Sequence, residues 1–375
     1  MTTISLLKNG VEAFLAMCAA IDSARACVAL EMYIFADDET GREFRSHLIA
    51  AARRRVQVMV LLDAWGSWAL SNSFWDEFRD AGGMLRWFRP IRKGMLPFRN
   101  HRKLLLIDRH QAFIGGLNIA NEYRGGSDGD LPWRDNVLEI GGEEVERLRR
   151  SFLRMWSRAV LPLRNLVKRI PGGRRQKIRT GTRVRFFESG PEDAVQPVRR
   201  AYRQLVRRAR ISIDLAMSYF YPPGRIMREL KRAVRRGVRV RLLFPRKNDV
   251  PIALWAARGL YGRLLRAGME VWEYLPGMLH SKLAIADDTV IAGSANMDIR
   301  SGKINYEMVV VVTDTDLATK AKADFTADLK QAEQIRLDDW KNRPCTEKLK
   351  ERVSYWLLAR ADVFISRMEI MRKYR

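Results

Sequence analysis

The sequence predicts an α/β fold built from two copies of one domain, each a mixed β-sheet flanked by helices. Three observations carry this: a repeat at near-constant offset, helix and strand patterns that alternate in each copy, and one short polar motif written twice. "IDSARACVALEMYIF" (21–35) resembles "VRRARISIDLAMSYF" (206–220), and "AAARRRVQVMVLLD" (50–63) resembles "KRAVRRGVRVRLLFP" (231–245). Arg25 pairs with Arg210, Val56 with Val238, His101 with His280 and Gly115 with Gly293, at offsets of 185, 182, 179 and 178. Halves of this size are too long for solenoid units and read as domains. The boundaries follow as residues 1–163, a basic linker 164–185, residues 186–335, and a C-terminal extension 336–375.

The elements of the first copy come in order. "GVEAFLAMCAAIDSA" has apolar residues at helical spacing, with Gly10 at its head. "CVALEMYIF" is a buried strand, "GREFRSHLIAAARRR" an amphipathic helix, and "VQVMVLLD" a second strand. A further helix and the strand "MLRWF" follow. This alternation implies βαβ units and a sheet covered by helices on both faces. The motif segment then reads as a hairpin: "RKLLLID", a turn at Asp108-Arg109-His110, and "QAFIGG" returning. The second copy turns at Asp287-Asp288-Thr289.

Between the halves, "RNLVKRIPGGRRQKIRTGTR" holds basic residues, no acid, and Pro171-Gly172-Gly173, the composition of an exposed linker. From Thr346 the extension looks like an amphipathic helix, with Tyr355, Trp356, Leu357, Leu358, Val363, Phe364 and Ile365 on its apolar side and a basic tail. Packing on its own protein is favoured over packing on lipid.

The formal net charge is +25, which asks for a polyanionic partner: nucleic acid, an anionic membrane or a phosphorylated substrate. The apolar fraction of 47% excludes a disordered chain. Three cysteines, Cys18, Cys27 and Cys345, form neither a disulfide framework nor a zinc pattern, which fits a reducing compartment. The N-terminus lacks a basic n-region, and Lys8, Glu12 and Asp22 interrupt its apolar run, so it does not read as a signal peptide. No stretch approaches about 18 uncharged apolar residues, so a membrane-spanning helix is not expected.

The doubled motif is His-x-Lys-x4-Asp: His101, Lys103 and Asp108, then His280, Lys282 and Asp287. On a strand, i and i+2 share a face, so imidazole and ammonium project side by side. The aspartate is an odd step from the histidine and falls at the turn, where fixing the hairpin suits it better than attack. Asn118 and Asn296 close the motifs, and Gly115-Gly116 and Gly293-Ser294 let backbone approach closely. Two such units face to face give an electropositive pocket with two His, two Lys and two Asn, and no metal set. It suits a phosphodiester: cations and amides hold the non-bridging oxygens, one neutral histidine attacks phosphorus, and the other, protonated, releases the alcohol. Asp135 in "WRDNVLEI" and Glu307 in "NYEMVVVV" sit in matching places and are candidates to orient the imidazoles, with Gly116 and Ser294 also near the site.

These residues resemble the signature of the phospholipase D superfamily, over about residues 5–330. The resemblance implies a pseudo-twofold pair of phospholipase D-like domains with one active site at their interface, and a two-step, metal-independent transfer through a phospho-histidine without cofactor. It also implies that His101 is the nucleophile and His280 the general acid, then base, an assignment that symmetry of the motifs leaves open. The opening "LLKNGVEAFLAMCAAIDSARACVALEMYIFADDETGREF", "WRDN" (133–136) and "NMDIRSGKINYE" (296–307) resemble bacterial cardiolipin synthases, in a short form without N-terminal transmembrane segments. That implies phosphatidyl transfer with phosphatidylglycerol as donor or acceptor, possible use of phosphatidylethanolamine or glycerol, no specific nucleic acid, and a peripheral position on the cytoplasmic side of the bacterial inner membrane. The rivals are a phospholipase D that uses water, a head-group exchanger, a nuclease of the same superfamily, and a membrane scaffold. The loop before His101, "IRKGMLPFRN", is longer than its counterpart. Arg92, Lys93, Met95, Leu96 and Phe98 are its candidate membrane contacts, against a loop packed on its own fold.

Overall fold

The computed structural model describes residues 2–89, 98–124, 131, 133–160, 183–193, 196–298, 301 and 304–358. The first half runs β1 (Thr3–Lys8), α1 (Asn9–Ser23), β2 (Cys27–Met32), α2 (Glu39–Arg53), β3 (Gln57–Asp63), α3 (Asp76–Asp80), β4 (Met84–Phe88), β5 (Leu104–Ile107), β6 (Gln111–Gly115), α4 (Asn121–Arg124), β7 (Asn136–Gly141) and α5 (Val145–Arg158). The second runs β8 (Val184–Ser189), α6 (Pro197–Arg208), β9 (Ser212–Met217), α7 (Gly224–Arg235), β10 (Arg239–Pro245), α8 (Pro251–Leu265), β11 (Glu270–Tyr274), β12 (Lys282–Ala286), β13 (Thr289–Gly293), β14 (Glu307–Thr313), α9 (Thr315–Leu329), β15 (Ala332–Ile335) and α10 (Leu337–Lys341). A further helix, α11, covers 345–358.

The strand order in the first sheet is β1-β7-β6-β5-β2-β3-β4. In the second it is β8-β14-β13-β12-β9-β10-β11-β15, the same order with one strand added at the edge. β2, β3 and β4 are parallel, while β5, β6, β7 and β1 pair antiparallel, so each sheet is mixed. "MLRWF" is the strand the sequence predicts. The edge strands β1 and β8 were not expected; each is short and pairs only with β7 or β14 of its own half. β8 opens at Val184, two residues before the expected start of the second domain, and the rest of the linker, 164–182, lies outside the described residues.

Helix α2 shows how the sequence sets a layer. Asp38 caps it by accepting the Gly41 N–H at 2.9 Å, and Phe44, Leu48, Ala51 and Ala52 turn one stripe to the sheet. Asp314 caps α9 through Leu317 in the same way. Helices α1 and α2 cover the outer face of the first sheet, and α6, α7 and α8 that of the second. The inner faces of both sheets share a third core with α5 and α9, which occupy equivalent places in the two halves. Phe152 of α5 and Phe325 of α9 are fully buried in it. Each sheet is thus covered on both faces, as expected, and the inner layer joins the halves.

The aspartates of the doubled motif anchor the hairpin turns. Asp108 and Asp287 adopt left-handed backbone, with φ of 51° and 53°. Asp108 accepts N–H bonds from Arg25, Ala26 and Cys27 at 3.2, 2.8 and 2.8 Å. Asp287 accepts them from Arg210, Ile211 and Ser212 at 2.8, 2.9 and 3.1 Å. Burial opposes ionisation, but the three donors together outweigh it and hold both carboxyls below the ordinary range. Each lies seven positions from its histidine along extended chain, about 20 Å. Asp108 and Asp287 therefore leave the candidate catalytic set: they tie the motif hairpin to the start of β2 or β9.

Among the described residues no helix is long and apolar enough to cross a membrane. Of the candidate membrane contacts, Arg92, Lys93, Met95 and Leu96 lie outside the described residues. Phe98 does not face out: it is 5% exposed, with the Arg89 guanidinium over its ring at 4.9 Å. Its place as a lipid contact is withdrawn, because the ring is spent on packing. On α11 the apolar residues divide. Tyr355 packs against Tyr221, whereas Trp356 and Leu357 face outward.

Candidate active site

The chain enters β5 and β12 through the two histidines, and these entry segments cross to the other half. Asn100 forms a parallel bridge with Tyr306, and Arg134 with Leu279. His101 N–H donates to the Tyr306 carbonyl at 3.0 Å, and His280 N–H to the Arg134 carbonyl at 2.8 Å. Each histidine follows a bridging residue, Asn100 or Leu279, and is thereby laid beside the residue after that bridge's partner, a carboxylate of the opposite half.

The resulting dyads are crossed. His101 Nδ1 lies 3.0 Å from Glu307 Oε1, and His280 Nδ1 lies 2.7 Å from Asp135 Oδ2. Both carboxylates are fully buried. Sequence reading found all four residues and not this exchange. With Nδ1 engaged by a carboxylate, Nε2 is the nitrogen that faces the chemistry; on His280 it is shared with Lys282 Nζ, which lies 2.9 Å from Nδ1 as well. Tyr33 stands edge-on to His101 at 4.8 Å, while Tyr123 and Trp133 flank His280 at 5.3 and 5.6 Å.

Lys103 and Lys282 are buried beside the rings. Lys103 Nζ donates to the His101 carbonyl at 2.8 Å. Lys282 Nζ donates to the His280 carbonyl and to Ser218 Oγ, and lies 3.1 Å from His280 Nε2. Burial is the main cause holding both imidazoles below the ordinary histidine value. For His101, Glu307 opposes the shift and Lys103 adds to it. His280 is brought to about 4, with Lys282 reinforcing burial and Asp135 opposing it. Burial likewise lowers Lys282, and brings Lys103 to about 7. Each lysine acts across the interface as well: Lys282 lowers His101 and Lys103 lowers His280. The four side chains therefore share one desolvated space, with both imidazoles neutral at pH 7. An anion entering it would raise all four proton affinities.

Supporting residues have divided roles. Ser294 Oγ donates to Glu307 Oε2 and accepts the Met308 N–H at 3.1 Å, so it orients the carboxylate. The equivalent Gly116 makes room: a Cβ there would stand 2.4 Å from Asp135 Oδ2. Asn118 accepts from Ile34 N–H and donates to Tyr123 Oη. Asn296 accepts from Ser218 Oγ at 2.8 Å, and its amide nitrogen has no hydrogen-bond partner among the described residues. Asn296 is thus the better placed amide for a substrate oxygen. Sequence reading missed Tyr33 and Ser218, yet a signal existed: they are 185 residues apart, the offset of Arg25 and Arg210. It also missed buried Arg134, whose guanidinium pairs with Asp328 at 2.8 Å and bonds the Asp135 carbonyl, fastening that carboxylate's backbone to α9.

The chain is similar to known proteins over both halves. The family model described as "Cardiolipin synthase, PLD-like domain" matches residues 17–156 and 202–329, one segment around each histidine. A cardiolipin synthase of Geobacillus sp. strain WCH70 is 36% identical over 367 residues, spanning 94% of this chain and 71% of the relative. Cardiolipin synthase 2 of Bacillus anthracis is 36% identical over 359 residues, spanning 93% and 69%. In fold, the chain is similar to the phosphatidylserine synthase of Haemophilus influenzae Rd KW20, with a TM-score of 0.71 over 97% of this chain and 94% of that one at 13% identity. A duplicated sheet, two histidines each paired with a carboxylate of the opposite half, and relatives of this identity over nearly the whole chain place the protein in the cardiolipin synthase family of phospholipase D-like enzymes.

Proposed function

We propose that this chain makes cardiolipin by moving a phosphatidyl group from one phosphatidylglycerol to the hydroxyl of another, through a phosphatidyl-histidine. The observation that carries this reading is the pair of crossed dyads in one buried, cationic space. His101 Nε2 attacks phosphorus; a P–N bond forms as the P–O bond to the glycerol head group breaks. His280, protonated as the anionic diester raises its proton affinity, gives its Nε2 proton to the departing glycerol oxygen. Neutral His280 then removes the proton of the second lipid's hydroxyl, that oxygen attacks phosphorus, and the P–N bond breaks. Lys103, Lys282 and the Asn296 amide hold the non-bridging oxygens, and are worth most where water is excluded. His101 is taken as nucleophile by family resemblance, and Glu307 stabilises its imidazolium character while the P–N bond exists. The surface of an anionic bilayer is where both lipids are met.

Purified protein on phosphatidylglycerol vesicles is expected to give cardiolipin and glycerol in equal amounts by mass spectrometry of the lipids and assay of the aqueous phase. Phosphatidic acid as the sole lipid product would overturn the synthase reading in favour of hydrolysis.

Gly116→Ala tests the orienting role of Asp135. The new methyl pushes the carboxylate off His280, so turnover is expected to fall by about 10- to 100-fold with little change in lipid KM. Thermal unfolding should show a folded protein; full turnover in such a protein would refute the role.

A further inference from the structure

A cavity of about 480 Å³ lies between the second half of α8, α10 and α11, away from the histidines. Seven Lys or Arg side chains line it against one acid, Glu351, so its charge is not balanced from within. Arg258 is engaged by Glu273 at 2.8 Å, and Arg343 by Glu351. Arg263, Arg266, Lys348 and Arg352 have no ion pair among the described residues. Arg343 Nε is buried and makes no hydrogen bond; Glu347 Oε2 faces it only at ion-pair distance, 3.9 Å, so its N–H still lacks a close acceptor. Such a lining fits a phosphate-bearing anion.

The helix that walls this cavity also says where the phosphate comes from. α11 turns Glu351, Ser354 and Tyr355 inward. Leu349, Val353, Trp356 and Leu357, at i, i+4, i+7 and i+8, form one outward stripe; Leu349 is 63% exposed and Trp356 51%. A dissolved phosphate has no use for that stripe, whereas a lipid presents an anionic head and acyl chains together. The place is also apart from the chemistry. Asn248, which bonds the Ser218 carbonyl, lies just before α8, and Arg266 is 16 residues beyond Val250, about 24 Å along a helix.

We propose that this cavity is a second phospholipid site, which takes the phosphodiester head group of an anionic lipid while the α11 stripe enters the acyl region and holds the enzyme on its substrate membrane. The inference rests on the phospholipid-transfer reading only for the choice of surface.

The test is co-sedimentation of the full chain with vesicles of phosphatidylglycerol in phosphatidylcholine, comparing the parent with Arg263→Gln/Arg266→Gln/Arg352→Gln and with Trp356→Ser/Leu357→Ser. Both variants are expected to lose vesicle binding, the first by about 100-fold from about 1 kcal/mol per surface cation. Both should keep parental turnover on dispersed short-chain phosphatidylglycerol, which also shows that they fold. His101→Ala should sediment with vesicles like the parent, so failed chemistry and failed docking are separable. Unchanged sedimentation of the triple variant overturns the proposal. So does calorimetric binding of inorganic phosphate lost in the triple variant while the apolar variant still sediments, which would mark a free-phosphate site.

Discussion

His101→Ala and His280→Ala each lower cardiolipin formation from phosphatidylglycerol by at least about 10³-fold, because one removes the attacking atom and the other the proton that frees the alcohol. The two losses differ in kind. With a phosphatidyl ester whose leaving group needs no proton, His280→Ala still completes the first displacement and accumulates a covalent phosphatidyl adduct on His101. His101→Ala accumulates none. Intact-mass spectrometry at neutral to alkaline pH, where a P–N bond survives, reads this directly. An adduct on His101→Ala and none on His280→Ala would reverse the two roles; no adduct on either would remove the covalent step.

The carboxylates give the second large effect. Glu307→Gln and Asp135→Asn are each expected to cost about 100-fold in turnover, about 2.7 kcal/mol of barrier. Their pH profiles should separate. Burial is the largest cause of the low His101 value, and Glu307 works against it. Without Glu307, His101 falls further and stays neutral to lower pH, so the acidic limb of kcat/KM moves down. Burial also dominates at His280, reinforced by Lys282 and opposed by Asp135. Without Asp135, protonated His280 is lost earlier as pH rises, so the basic limb moves down. The limbs report the coupled site rather than single groups, but the direction belongs to the residue removed. Each carboxylate should act with the histidine of the other half: His101→Ala/Glu307→Gln should be no slower than His101→Ala. Additive losses for that pair would refute the crossed dyad.

Much of this was legible because the sequence is written twice. Offsets of 178 to 185 residues foretold equal domains, and the two sheets repeat one strand order. The i, i+2 spacing put imidazole and ammonium together, and the odd step removed Asp108 from them, where the structure finds it holding Arg25, Ala26 and Cys27. What was hidden is long-range. Nothing local to Asp135 tells which histidine it meets; the Arg134 bridge to Leu279 decides. Phe98 misled for the opposite reason. An aromatic among basic and apolar neighbours reads as a surface anchor, and only the packing of Arg89 shows the ring to be enclosed.

The crossing has a consequence for history. If each histidine takes its carboxylate from the opposite half, one half alone holds an unpartnered imidazole, while two identical halves docked about the same axis would already hold two complete pairs. A single-domain homodimer is therefore a sufficient ancestor, and gene fusion added no chemistry at its outset. Fusion removed the obligation to stay identical. Gly beside Asp on one side and Ser beside Glu on the other, Tyr33 over one histidine and Ser218 under the other lysine, are divergences a symmetric dimer cannot encode.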